Sequence, residues 1–272
     1  MNTAVYIGKN VLVSDERLQR LMDELKQGGC NLHVLSEGET LSGDHDMLLS
    51  VGGDGTYLSA SSLVAQAGIP VVGVNLGRLG FLSENRPEDV AQAILSGDYT
   101  VENRLMLQTD VVTGEKSIDD WPYALNEMSV RRGGPAMLAV EVSVDGVQLP
   151  TYWADGLLIS TSSGSTAYSL SVGGPIVLPE SKVLIISPIA PHNLNVRPLV
   201  VPDSSEIKLK MHSRDGLFEF SADNRTAVMN ESVEINISMA QFSLKRVRLN
   251  KSNFINALTE KLFWGEDVRN TK

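Results

Sequence analysis

Over the first hundred residues, apolar positions follow two different spacings in turn. Short unbroken apolar runs at Ala4–Ile7, Leu32–Leu35, Met47–Val51 and Ile69–Val74 predict buried strands. Between them, apolar residues recur at helical spacing. Residues 15–27 put Leu18, Leu21, Met22 and Leu25 on one face, with Ser14 placed to cap the start and Gly28 to end the turn. A helical stretch at 57–67 follows the third strand, and Pro87 opens another helix that stops near Gly97. Strands alternating with helices predict a parallel sheet covered on its faces.

After residue 100 the period falls to two. Runs at Leu107–Val112, Leu125–Val130, Leu138–Val144, Leu157–Thr161, Val183–Ile189, Ile207–Met211, Leu217–Ala222, Val233–Ile237 and Phe242–Leu249 predict strands. Asp145-Gly146 is a hairpin turn signal. The pattern predicts an α/β domain over 1–100 and a β-rich domain over 101–251. A last helix, capped by Ser252, carries Phe254, Ile255, Leu258 and Leu262. A lone helix after a β domain needs an apolar surface to cover, so the segment 252–272 is expected to return to and complete the first domain.

Charge changes the list of partners. The 272 residues carry a formal net charge of -10. Non-specific binding to nucleic acid or to an anionic membrane calls for the opposite surplus, so neither is expected. Nucleotides stay open, because backbone N–H groups build phosphate sites inside acidic proteins. The one cysteine, Cys30, permits no internal disulfide and is expected to be a small core filler. No apolar run approaches the ~20 residues of a membrane span, and no secretory leader is visible, so a cytoplasmic location is expected.

The sharpest local signal is Gly52-Gly53-Asp54-Gly55-Thr56, between a buried strand and a helix. Glycines allow a ligand close to the backbone, and free N–H groups with a helix N-terminus behind them attract phosphate. The end of a parallel strand is where such sheets bind ligands. The loop lacks the Gly-Lys-Ser/Thr of a P-loop and the G-x-G-x-x-G of a dinucleotide fold. It holds a carboxylate instead. Asp54 serves there as a proton acceptor, as a hold on Mg2+, or as a turn residue bonding its own backbone.

These residues, with others in the same order, resemble the NAD kinase family. Gly52–Thr56 resembles its GGDGT, Gly77–Leu82 the segment after its next strand, and Asn126-Glu127 its Asn-Glu pair. The run Asp155–Pro175 resembles its second glycine-rich signature and is the specific part, since lipid kinases and phosphofructokinases have something close to GGDGT. Ser187–His192 and Arg197-Pro198-Leu199 complete the order. Ser162 stands where the family usually has proline, a difference in loop stiffness rather than chemistry.

The resemblance implies a two-domain fold with the site in the cleft, and a kinase that moves the terminal phosphoryl group of ATP or a related donor to the adenosine 2′-hydroxyl of NAD. It implies Mg2+ bound through the donor phosphates, with no protein cage, and a homodimer or homotetramer. Position by position, Asp54 would be the base facing the hydroxyl, and Gly52, Gly53, Gly55 and Thr56 would cradle phosphates. Asn126 and Glu127 would read adenine and ribose, or a metal-bound water; without the family they are a solvent-facing strand end. Ser163, Thr166, Ala167, Tyr168, Ser169 and Ser171 would line the NAD pocket, with Asp54 and Gly55 also against NAD. Asp155 would reach a ligand, possible across a subunit interface; Phe81 lies near adenine or in the core; Asp223 is a further carry-over. The four histidines show no metal spacing, Arg78 reads as a surface residue, and Asp119-Asp120 as a solvated loop tip. Two other functions compete: a lipid kinase, opposed by the charge and the polar 161–171 loop, and a nucleotide sensor, opposed by the intact Asp54 and Asn126-Glu127.

Overall fold

The structure is a computed structural model, and it describes residues 1–262 except 37, 38, 40, 42, 43, 65, 78, 79 and 252. The chain divides into two compact units, one formed by Met1–Asn103 with Leu244–Lys272, the other by Arg104–Ser243.

In the first unit the order is β1 (Asn2–Ile7), α1 (Glu16–Gln27), β2 (Asn31–Val34), β3 (Met47–Val51), α2 (Asp54–Val64), β4 (Val71–Val74), α3 (Pro87–Ser96) and β5 (Tyr99–Arg104). β1 runs parallel to β2 and β3, and β3 to β4. α1 buries Leu18, Leu21, Met22 and Leu25 as its spacing requires. Its N-cap is Asp15 rather than Ser14, because the Asp15 carboxylate accepts the Arg17 N–H at 2.9 Å. α2 starts three residues before the expected position, at Asp54, because Gly53 O accepts the Tyr57 N–H at 3.1 Å. Val5, Leu49, Val51, Val72 and Val74 pack with α1 and with Val90 and Ile94 of α3 in one core, which also buries Cys30.

The second unit holds β6 (Leu107–Thr109), α4 (Lys116–Asp119), β7 (Tyr123–Ala124), β8 (Glu127–Arg132), β9 (Leu138–Val144), β10 (Val147–Gln148), β11 (Tyr152–Ala154), β12 (Gly156–Thr161), a 3-10 turn at Ser163–Thr166, α5 (Tyr168–Ser171), β13 (Val183–Ile189), β14 (Leu199–Pro202), β15 (Ile207–His212), β16 (Leu217–Ala222), β17 (Arg225–Asn230) and β18 (Glu234–Met239). Two antiparallel sheets result, ordered β10-β9-β15-β18-β6-β7 and β14-β13-β12-β8-β16-β17. Alternate residues of both, such as Val140, Leu209 and Ile235 from one and Val130, Leu157 and Phe220 from the other, share one core. The hairpin at Asp145-Gly146 forms, with β10 pairing back on β9. Asp119 is not a free loop tip: it accepts from Thr113 N and Gly114 N at 2.7 and 2.9 Å and closes that turn.

β19 (Leu244–Leu249) and α6 (Phe254–Leu262) belong to the first unit. The strand expected at Phe242–Leu249 in the β-rich segment therefore joins the other sheet, parallel to β4 and between it and β5. Alternation fixes which residues are buried but not which sheet buries them. α6 buries Ala257 and Leu258, while Ile255 is exposed. The expected cap Ser252, and the part of the last helix beyond Leu262, lie outside the described residues.

Candidate active site

The glycine loop of the first unit leaves β3, every residue of which is buried. With Gly53 accepting the first helical bond, the N–H groups of Asp54, Gly55 and Thr56 head α2 and have no acceptor inside the helix. Side chains built on Gly53 or Gly55 would meet nothing within 4 Å, so the loop is open there. Gly52 differs from the expectation. Its N–H donates to Val74 O at 2.8 Å and is committed to the backbone. The Thr56 side chain packs back on Gly52, where an added Cβ would lie 2.4 Å from Thr56 Oγ1. The N–H groups of Asp54, Gly55 and Thr56 thus stay free of helical acceptors, unlike that of Gly52.

Asp54 opens α2 and reaches the loop after β4. Its Oδ2 accepts the Phe81 N–H at 2.9 Å, and Oδ1 accepts those of Leu82 and Ser83 at 3.1 and 2.9 Å. Gly80 is obligatory here, since its Cβ would stand 1.9 Å from Asp54 Oδ1. A carboxylate has about four lone-pair sites, two on each oxygen. Three are taken, and one on Oδ2 is left. The turn-residue reading of Asp54 fails in its local form: the carboxylate bonds a distant loop, 27 to 29 residues on. Behind that loop Arg246, from β19, lies 2.8 Å from Glu84 Oε1 and donates to Phe81 O at 3.2 Å. Sequence reasoning missed this ion pair. Its only signal was one more charge in a strand that already alternates basic residues, and one in a polar loop. Phe81 packs on Phe254, with ring centroids 6.3 Å apart. Arg78 lies outside the described residues.

The second unit gathers Asn126, Glu127 and Asp223. Asp223 turns the chain between β16 and β17 with φ of 51°. Its carboxylate accepts the N–H groups of Leu125, Asn126 and Glu127 at 2.9, 2.8 and 3.2 Å, and its own N–H returns to Glu127 O at 2.9 Å. This is why β8 begins at Glu127, two residues after the expected start: those N–H groups bond a carboxylate instead of a strand. Burial pushes the Asp223 carboxyl up, against the pull of the three N–H groups and of Arg225.

Burial, and then the neighbouring Asp223 charge, push Glu127 up to about 8, while the Tyr168 backbone N–H pulls it down. Glu127 Oε2 is buried with no protein partner, as is Ser163 Oγ. Buried polar atoms are nearly always bonded, so both oxygens have capacity for a further hydrogen bond. The raised Glu127 gives a pH test. The unfolded carboxyl loses its proton near 4.5 and the folded one near 8. Between those values the fold holds the extra proton, so its stability falls as pH rises. Glu127→Gln has no such proton. Its urea midpoint relative to the wild type should climb between pH 5 and 9; an equal difference at both values would contradict the assignment.

The loop after β12 is pinned to the same segment. Thr161 N and Oγ1 donate to Asn126 O and Leu125 O at 2.9 and 2.6 Å, and Gly164 N donates to Thr161 Oγ1 at 3.1 Å. A Cβ on Gly164 would lie 2.1 Å from Asn126 O. Ser162 sits at φ -58°, the angle a proline ring imposes. Its hydroxyl donates to Pro179 O at 2.9 Å and stiffens the loop by another route. Ser162→Ala should lose about 1 kcal/mol in a denaturant titration.

Thr166 bonds back to Ser163 O at 3.5 Å, and Ala167, Tyr168 and the exposed Ser171 carry the chain through α5. One expected contact is turned inward. Ser169 is fully buried, its hydroxyl 3.5 Å from that of Ser187. Asp155 pairs with Arg132 at 2.8 Å. His192 donates its backbone N–H to Trp153 O at 2.8 Å. No group of three or more His, Cys, Asp or Glu among the described residues could hold a metal ion, and no described helix is long and apolar enough to cross a membrane.

A parallel sheet with a phosphate-type loop and an anchored carboxylate in one unit, and a polar site on one antiparallel sheet in the other, are the parts that a two-domain nucleotide-dependent phosphotransferase requires. Comparison with known proteins narrows it. Residues 14–97 match the ATP-NAD kinase N-terminal domain and residues 125–249 the ATP-NAD kinase C-terminal domain. An NAD kinase of Flavobacterium psychrophilum is 42% identical over 264 residues, 95% of this chain and 90% of that protein. One from Flavobacterium johnsoniae is 38% identical over 273 residues, 98% and 92% of the two chains. Among solved structures, an Archaeoglobus fulgidus NAD kinase in complex with ATP superposes with a TM-score of 0.79 at 26% identity, covering 97% of this chain and 99% of that one. A yeast NADH kinase complexed with NADH gives 0.80 at 25% identity, covering 99% and 90%. The chain belongs to the NAD kinase family. Its activity is ATP-dependent phosphorylation of NAD to NADP; the lipid-kinase and sensor readings are not favoured.

Proposed function

We propose that Asp54 is the general base of this reaction, acting on the adenosine 2′-hydroxyl through Oδ2. The carrying observation is the anchoring of its carboxylate by three backbone N–H groups that leave one acceptor site, on Oδ2. A ribose hydroxyl holds its proton far more tightly than a carboxylate, so the proton moves late, as the oxygen bonds to phosphorus and the bond to the leaving phosphate breaks. The N–H groups of Gly53, Asp54, Gly55 and Thr56 take the donor phosphates. Mg2+ fits this loop as a passenger of the donor, since it keeps its waters and prefers phosphate oxygens; when bound it neutralises charge on the transferred group.

The reading assigns NAD to the second unit. Asn126 and Glu127 would take adenine and ribose, Thr166, Ala167 and Tyr168 would wall the pocket, and Ser163 would complete a hydrogen bond. The unpartnered oxygens of Glu127 and Ser163 support this. Asp223 supports the site by holding Leu125, Asn126 and Glu127 through their N–H groups. A homodimer or homotetramer and a cytoplasmic location complete the proposal. Steady-state assays with ATP test the acceptor: NAD should be phosphorylated, while an analogue lacking the 2′-hydroxyl and diacylglycerol should not. Phosphate transfer to either of those would overturn the reading.

A further inference from the structure

The loop that holds Asp54 is itself gripped from α6. Lys261 Nζ donates to Gly80 O. It also stands over the Phe81 ring, 4.8 Å from its centroid. Gly80 O belongs to the same planar peptide as the Phe81 N–H, which donates to Asp54 Oδ2. The next peptide repeats the arrangement: Arg246 binds Phe81 O at 3.2 Å, and the Leu82 N–H of that peptide donates to Asp54 Oδ1. Each peptide therefore has a cation at its oxygen and the Asp54 carboxylate at its hydrogen. Such chains fix the peptide plane and strengthen the bond at the far end. Lysine in a last helical turn is ordinary by itself, since it complements the helix dipole. That accounts for the charge but not for its placement on Gly80.

We propose that Lys261 is a positioning residue for phosphoryl transfer: it holds the Gly80–Phe81 peptide in the orientation that fixes Asp54 Oδ2. The inference rests on the reading of Asp54 as base. Burial and packing support the grip. Ala257 and Leu258 seat α6, and Phe254 of the same helix meets Phe81. Burial pulls the Lys261 ammonium down from its ordinary value, helped by Arg246 and opposed by Glu84 and Asp54.

The test uses the full chain with Lys261→Met, which keeps the apolar stem and removes the charge, and Lys261→Arg, which keeps the charge. Circular dichroism confirms that both fold. Hydrogen exchange at the amides of Phe81, Leu82 and Ser83 reads the loop independently of activity. K261M should exchange there about tenfold faster and lose roughly 10-fold or more in kcat, with KM for NAD little changed, the order expected for a slightly misplaced group. K261R should recover most of both. In K261M combined with Asp54→Ala, kcat should be no lower than in Asp54→Ala alone, because the lysine acts only through that carboxylate. Unchanged exchange or unchanged kcat in K261M overturns the proposal, as do losses that multiply in the double variant. If Asp54→Ala alone keeps full turnover, the reading of Asp54 as base fails; if Asp54→Ala is impaired and K261M is not, only the role of Lys261 fails.

Discussion

Asp54→Ala should lower turnover by roughly 10²-fold or more and leave KM for NAD within a few-fold, since base catalysis commonly supplies 10²- to 10⁴-fold. The asymmetry follows from the geometry. The substitution removes the acceptor on Oδ2, while Asn126, Glu127 and the 163–168 loop lie in the other unit and keep their own bonds. It also leaves the N–H groups of Phe81, Leu82 and Ser83 without their acceptor. Asp54→Asn separates the two effects in part, keeping the bonds from Leu82 and Ser83 but setting its NH2 group against the Phe81 N–H. Its amide oxygen still accepts in the Oδ1 position, but its NH2 group cannot take a proton from the hydroxyl. Both variants should be slow. Single-turnover kinetics showing normal chemistry in Asp54→Asn would remove base catalysis from the account.

Gly164→Ala should produce the largest effect on the second unit. The added Cβ would stand 2.1 Å from Asn126 O, 2.6 Å from its C and 2.8 Å from its Cα. Backbone atoms cannot swing aside as a side-chain tip does. The segment 125–127 is also held by Asp223 from the β16 side and by Thr161 from the β12 side, so the clash has nowhere to relax. Overpacking of this kind costs about 1–3 kcal/mol. KM for NAD should rise roughly 10- to 100-fold, the scale of a displacement near an ångström. Gly133→Ala is the control. Its Cβ meets nothing closer than 3.6 Å, and its stability should stay within about 0.5 kcal/mol. Unfolding by urea and NAD kinetics on the pair decide the matter.

Much of this was visible in the residue pattern. Met47–Val51 is a strand with the expected bounds, and α1 buries the four residues its spacing selects. The glycine loop lies at the strand exit, and the Ser/Thr-rich run closes on Asn126. What stayed hidden depends on partners far along the chain. Asp223 binds the N–H of a residue 97 positions earlier, a bond no local window contains. β19 alternates like any strand of the second unit, and only pairing with β4 places it in the first sheet. Nothing in the sequence signals that Lys261 meets a loop 181 residues earlier. Gly52 looked like a phosphate donor because glycine permits the role; its N–H is spent on Val74 O, which only the sheet register shows.

The most direct test is a crystal structure of the protein with NAD bound. The account predicts the adenosine 2′-oxygen within about 2.6–3.2 Å of Asp54 Oδ2, with Glu127 Oε2 or Ser163 Oγ bonded to the coenzyme. A coenzyme whose 2′-oxygen points away from Asp54, or one that leaves Asn126 and Glu127 untouched, would contradict it.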